Sequence, residues 1–216
     1  MKGLLLTKFF LVYRSFFGYL FISMLISLLL IFLQVEKAAQ FSIMIIILLS
    51  SMPSLEVIKQ EGISNFNIYT FTLPVSRSSM VKSNYVFYLF SVLIGICISF
   101  LVYIISIRID DRLIITNILF TYSSIFLVVM IAGSVVYPLL YFLGHEKSDG
   151  IVIGGAFAGL AMLFAVQVIM GELSSYIASS TFDQSIYTLG IFGVISILLY
   201  CSSYFVSKLI FIKKDY

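Results

Sequence analysis

Six uninterrupted runs without a single Asp, Glu, Lys, Arg or His constrain this chain more than any other feature. They are Ser15–Val35, Ala38–Leu55, Ser83–Ile107, Leu113–Gly144, Gly150–Gly171 and Gln184–Ser207. A helix needs about 20 apolar residues to cross a hydrocarbon core of about 30 Å. Backbone groups in lipid must pair within their own segment, so runs of this kind are predicted to be helices. All six reach the length, the second only just. The fourth is too long for one straight crossing at about 1.5 Å per residue. Gly133 and Pro138 are expected to break or kink it, with Tyr137 to Phe142 projecting past the bilayer. Composition agrees: 61% of the 216 residues are hydrophobic and 11% charged, where a soluble domain carries about 25% charged residues. The expected fold is therefore an all-α integral membrane protein, one transmembrane domain over residues 1–216. The lipid bilayer is its first partner, and 21 Phe and 14 Tyr can furnish interfacial belts.

Orientation follows from the basic residues in the short connections. With the N-terminus cytoplasmic, the inner segments hold Lys2, Lys8, Arg14, Lys59, Arg77, Lys82, Lys147, Lys208, Lys213 and Lys214, and the outer ones only Lys37, Arg108 and Arg112. Ten against three predicts six spans with both termini cytoplasmic. Residues 1–14 are apolar but carry Lys2, Lys8 and Arg14. They read as an N-terminal interfacial helix on the cytoplasmic leaflet or as the basic flank of the first span.

The segment 53–82, PSLEVIKQEGISNFNIYTFTLPVSRSSMVK, is the one long stretch that is not membrane-grade. It faces the cytoplasm in this topology, as does the short 145–149 connection. Gly62 and Pro74 interrupt helices within it. Ser64 is placed to cap a short helix bearing Phe66, Tyr69 and Leu73, and Ser76 to cap the helix entering the third span. Ile63, Phe66, Tyr69 and Phe71, rimmed by charge, have the composition of an interface core.

Catalytic chemistry finds little support. His145-Glu146 begins like a zinc-protease motif, but position 149 is Asp and the chain has no second histidine. Ser79-Met80-Val81-Lys82 matches SxxK without its companion motifs and reads as a helix cap with a snorkelling lysine. Asp110-Asp111 lies on an exterior turn between two arginines. No phosphate-binding GxxxxGK[ST] loop occurs, so ATP is not expected to bind this chain by that device. Charge-free spans also argue against an ion-coupled carrier. Cys97 and Cys201 sit in apolar runs and read as small hydrophobes. Gly154–Ala161, GGAFAGLA, offers a small-residue face for close helix packing or for lining a cavity.

Leu73-Pro74-Val75-Ser76-Arg77, about a dozen positions after Glu61-Gly62 and just before Val81-x-Ser83-x-Tyr85, resembles the small permease subunits of type-2 ABC exporters. Tyr141-Phe142-x-x-Gly144-x-Glu146-Lys147 is similar to that family's cytoplasmic turn between spans four and five. Within it, the chain looks like permeases of phenol-soluble-modulin and bacteriocin-type peptide exporters. Ile63 follows Gly62 where many relatives carry an aromatic residue.

The resemblance implies a coupling helix in the 53–82 loop that docks a separate ABC ATPase. It implies contacts from Glu56, Lys59, Glu61, Gly62, Phe66, Tyr69, Pro74, Arg77, Glu146 and Lys147. It also implies a second permease copy or paralogue enclosing the pathway, and ATP with magnesium held on the partner rather than here. The expected function is the membrane subunit of an exporter in a bacterial plasma membrane, moving amphipathic or antimicrobial peptides. No nucleic-acid partner and no enzymatic activity of its own are expected. The competing reading is a non-transporting immunity or sensor protein whose loop binds another cytosolic partner.

Overall fold

A computed structural model describes residues 2–33, 37–64, 76–109, 118–144, 147–177 and 184–213, with side chains throughout except at positions 2, 109, 163, 166, 167 and 169–189. The described residues form helices and their connections. The helices are α1 (Lys2–Phe32), α2 (Ala38–Ile63), α3 (Arg77–Ile109), α4 (Ile118–Leu143), α5 (Ser148–Ile177) and α6 (Gln184–Lys213). Five of them, α1, α2, α3, α4 and α6, are long and apolar enough to cross a membrane. In α5 the qualifying apolar stretch among the described residues is the shorter Ser148–Met162, so six crossings were expected and five meet the measure.

Several boundaries differ from the sequence reading, each for a physical reason. The helix α2 runs on past Leu55, through Pro53, to Ile63. Its charged residues do not end it because each finds a partner: Glu56 with Tyr19, Lys59 with Asp149, Glu61 with Lys8. Residues 53–63 of the expected 53–82 loop are thus helix. Ser64, expected to begin a new helix, closes α2 instead by donating its hydroxyl to Gln60 O at 2.7 Å. The short helix expected after it lies outside the described residues. Ser76 does cap α3, its Oγ accepting from Ser79 N–H at 3.2 Å. Residues 2–14 are continuous with the first span, no proline intervening and Gly18 being accommodated within the helix. At about 1.5 Å per residue such a helix outruns the hydrocarbon core, and one end extends beyond it. The helix α4 likewise continues through Gly133 and Pro138 and stops at Gly144, whose φ of 88° gives the left-handed C-terminal turn.

Packing is antiparallel between chain neighbours α1 and α2, α2 and α3, and α4 and α5, with α4 also lying along α6. The helices α2 and α4 are central and mostly buried, while α1, α3 and α6 turn most of their surface outward. The outward side chains on α1 include Phe10, Phe17, Phe21, Leu25 and Leu28, as lipid-facing surface requires. The small-residue face resolves as helix packing. A Cβ on Gly155 would fall 2.2 Å from a Val136 methyl, and one on Gly159 2.6 Å from Val128 O. Gly154, on the other side of α5, has open space around it.

Candidate functional site: the polar end of the bundle

The start of α1, the end of α2, the start of α3, the end of α4, the start of α5 and the end of α6 meet at one end of the molecule. Nearly all the ionic chemistry of the described residues is there. Its centre is Lys8, 3% exposed on α1, whose Nζ lies 2.5 Å from Glu61 Oε1 on α2. The same ammonium donates to Asn84 Oδ1 on α3. Asn84 Nδ2 in turn donates to Tyr141 Oη on α4 at 2.7 Å. Lysine can only donate, so the amide oxygen must face it and the amide nitrogen must face Tyr141. Tyr137 Oη, one turn back on α4, points at Ser54 O of α2 (3.1 Å) and Asn84 O of α3 (3.4 Å). Four helices are thus joined by charged and amide groups that are more than nine-tenths buried.

Around this centre lie weaker ties. Lys59 Nζ reaches Asp149 Oδ1 at 2.6 Å and joins α2 to α5, but Asp149 is largely exposed and such a pair contributes at most about 1 kcal/mol. Tyr19 Oη donates to Glu56 Oε1 at 2.7 Å, fastening α1 to α2. Arg77 Nη1 donates to Ile212 O at 3.2 Å, satisfying a carbonyl in the last turn of α6.

The residues expected to dock an ATPase therefore divide. Glu56, Lys59 and Arg77 are half-buried and bonded within the chain, Glu61 is buried outright, and Gly62 lies in the last turn of α2. Lys147 is exposed, as is Ile63 at 61%. Phe66, Tyr69, Pro74 and Glu146 lie outside the described residues. Sequence reasoning missed Lys8 as the partner of Glu61, and Asn84 and Tyr141 as the links that follow it. Asn84 stands one position inside the third apolar run, and that buried amide was the available signal.

Deeper in the bundle the polar end passes into an aromatic core. Tyr85 and Tyr88 of α3 pack with Tyr137 of α4 and Tyr200 of α6, ring centroids 4.7–5.9 Å apart. Their hydroxyls are spent on helix groups: Tyr88 on Val129 O, Tyr200 on Tyr85 O, and Tyr85 on Ser203 and Ser207. Toward the opposite end α3 and α4 touch through Ser99 Oγ, which donates to Tyr122 Oη at 3.3 Å, and open beside that contact. There Ile96, Cys97 and Phe100 face Ile118, Tyr122 and Phe126 across an open apolar groove of about 520 Å³, with Gly193 of α6 at its side. Among the described residues no group of three or more His, Cys, Asp or Glu is placed to hold a metal ion.

A bundle of long apolar helices, tied at one end by buried polar bonds, defines a multi-pass membrane protein. The chain matches the model of the ABC-2 family transporter proteins over residues 3–212, and it belongs to that family. It is accordingly a permease component of an ABC transporter, and the family implies partnership with an ATPase subunit. Neither a curated protein nor a solved structure gives a significant match.

Proposed function

We propose that this chain is the transmembrane subunit of an ATP-driven exporter. In this reading the polar end faces the cytoplasm and receives a separate ATPase, with ATP and magnesium held on that partner. Two permease copies, or this chain and a paralogue, enclose the pathway, and the cargo is an amphipathic or antimicrobial peptide moved outward across a bacterial plasma membrane. The observation that carries the reading is family membership over residues 3–212.

Two features support docking at the polar end. The flanks of the 65–75 segment and the start of α5 are brought together there, bridged by Lys59 and Asp149. Ile63, exposed at the last residue of α2, is an apolar side chain with no use in water and a clear one in an interface. Glu61, Glu56, Lys59 and Arg77 then act chiefly by holding the helix ends in place, while Ile63, Phe66, Tyr69 and Lys147 supply contacts.

The test is co-purification in nanodiscs with the ATPase encoded beside this gene, for the native protein and for Ile63→Asp/Phe66→Ala. Native capture with loss in the variant, at unchanged helical content, is the expected result. Failure of the native protein to capture the ATPase would refute the reading. Inside-out vesicles carrying the complex are expected to accumulate a labelled amphipathic helical peptide only with Mg-ATP, and absence of uptake would remove peptides as cargo.

A further inference from the structure

Two full charges buried between helices need a reason, because an apolar pair of equal volume is often as stable or more so. The pair Lys8–Glu61 does not stand alone. It continues through Asn84 to Tyr141 and so spans the ends of α1, α2, α3 and α4 in one unbroken chain of donors and acceptors. The helices α3 and α4 do not lie backbone against backbone. They meet through long side chains: Asn84 with Tyr141, Tyr137 with the Asn84 carbonyl, and the Tyr88 ring against Gly133. A Cβ at Gly133 would lie 2.6 Å from that ring. The other ends of the same two helices are the walls of the apolar groove, tied there by the weaker bond from Ser99 Oγ to Tyr122 Oη at 3.3 Å. From Asn84 to Cys97 along α3 is about 20 Å at 1.5 Å per residue, and Tyr141 to Phe126 along α4 is similar.

We propose that Lys8, Glu61, Asn84 and Tyr141 are positioning residues that fasten the polar ends of α1 to α4 into one body, so that a displacement delivered at the end of α2 is carried along α3 and α4 and changes the width of the groove. This deepens the exporter reading and rests on it, since the ATPase supplies the displacement. The geometry favours transmission over mere anchoring. Glu61 sits two residues before the end of α2, where a docked partner would push. Its counter-charge is on a different helix, and the next link is the start of one groove wall and the last the end of the other. Without the chain of bonds, the same push would be absorbed as sliding of α2 past α1 and α3.

The groove provides its own reporter. Cys97 is exposed and lines it, and Cys201 is the one other cysteine in the sequence. In a Cys201→Ser protein held with its ATPase in nanodiscs, the alkylation rate of Cys97 by N-ethylmaleimide is compared without nucleotide and with Mg-ATP plus vanadate. The native network is expected to give different rates in the two states. Lys8→Met, and the milder Tyr141→Phe, are expected to shrink that difference at least about fivefold while ATP hydrolysis continues.

The exchange Lys8→Glu/Glu61→Lys should restore it. Asn84 can turn its amide to donate to the new carboxylate, and Tyr141 can donate in place of accepting. A Lys8→Met protein that keeps the native nucleotide response would overturn the proposal, as would an exchange variant that folds and hydrolyses ATP yet stays unresponsive. A native complex that binds ATPase but shows no response at Cys97 overturns it as well, leaving the exporter reading intact. A native protein that captures no ATPase overturns both, and the captured subunit on a gel distinguishes the cases.

Discussion

At the scale of single residues, Lys8 and Glu61 matter most. Removing one member of a buried pair leaves the other charged and unsolvated, and such losses typically cost about 3–5 kcal/mol. Lys8→Met or Glu61→Ala alone is therefore expected to lower the thermal unfolding temperature in detergent sharply. The apolar pair Lys8→Met/Glu61→Leu should recover much of it, because no orphaned charge remains. A double variant less stable than either single one would contradict this account. Glu61 was recognisable in the sequence as a residue with work to do, but the direction in which it points was not. Fifty-three positions separate it from Lys8, and no local periodicity links an N-terminal lysine to a glutamate at the end of another helix. Asn84 was hidden for the opposite reason: it carries no charge, so it passed within a run defined by the absence of charge.

At the scale of elements, the hydrophobic runs placed the six described helices, yet several helix ends ran past the runs. The sequence reading closed the second span at Leu55 because charges follow, whereas α2 continues because those charges are bonded to α1 and α5. Gly133 and Pro138 were expected to break or kink the fourth span, and the helix runs unbroken through both. In α4 the missing Cβ of Gly133 is where the Tyr88 ring lies, which makes the glycine a contact and not an interruption. The small-residue stripe was legible as packing, and the structure assigns its sides. Gly159→Ala places a methyl against the unyielding Val128 carbonyl and is expected to cost about 1–3 kcal/mol. Gly154→Ala meets nothing and should be neutral or slightly stabilising. Paired melting curves of the two variants check this, and equal losses would mean that α5 does not approach α4 so closely.

At the scale of the whole molecule, the end that carries the ionic network is the end that the basic residues mark as cytoplasmic. In a background with Cys97 and Cys201 replaced by serine, a membrane-impermeant maleimide applied to intact cells is expected to label Lys37→Cys and to spare Lys147→Cys. The reverse pattern would invert the topology and move ATPase docking to the other face. How the helices assemble was the least legible part. The packing of α6 against α3 and α4, far apart in sequence, depends on Tyr200 and Ser203, which bond Tyr85 of α3 and the Ser134 carbonyl of α4. The same distance in sequence between Lys8 and Glu61 has a consequence for biosynthesis. The first helix leaves the ribosome before its counter-charge does, and until then its lysine can only reach back toward the headgroups. Neutrality arrives when the second helix has emerged from the ribosome, so the α1–α2 hairpin is the earliest nascent fragment in which Lys8 meets Glu61. Integration of this protein is then expected to proceed in pairs of helices, beginning with a hairpin that the translocase releases as one piece.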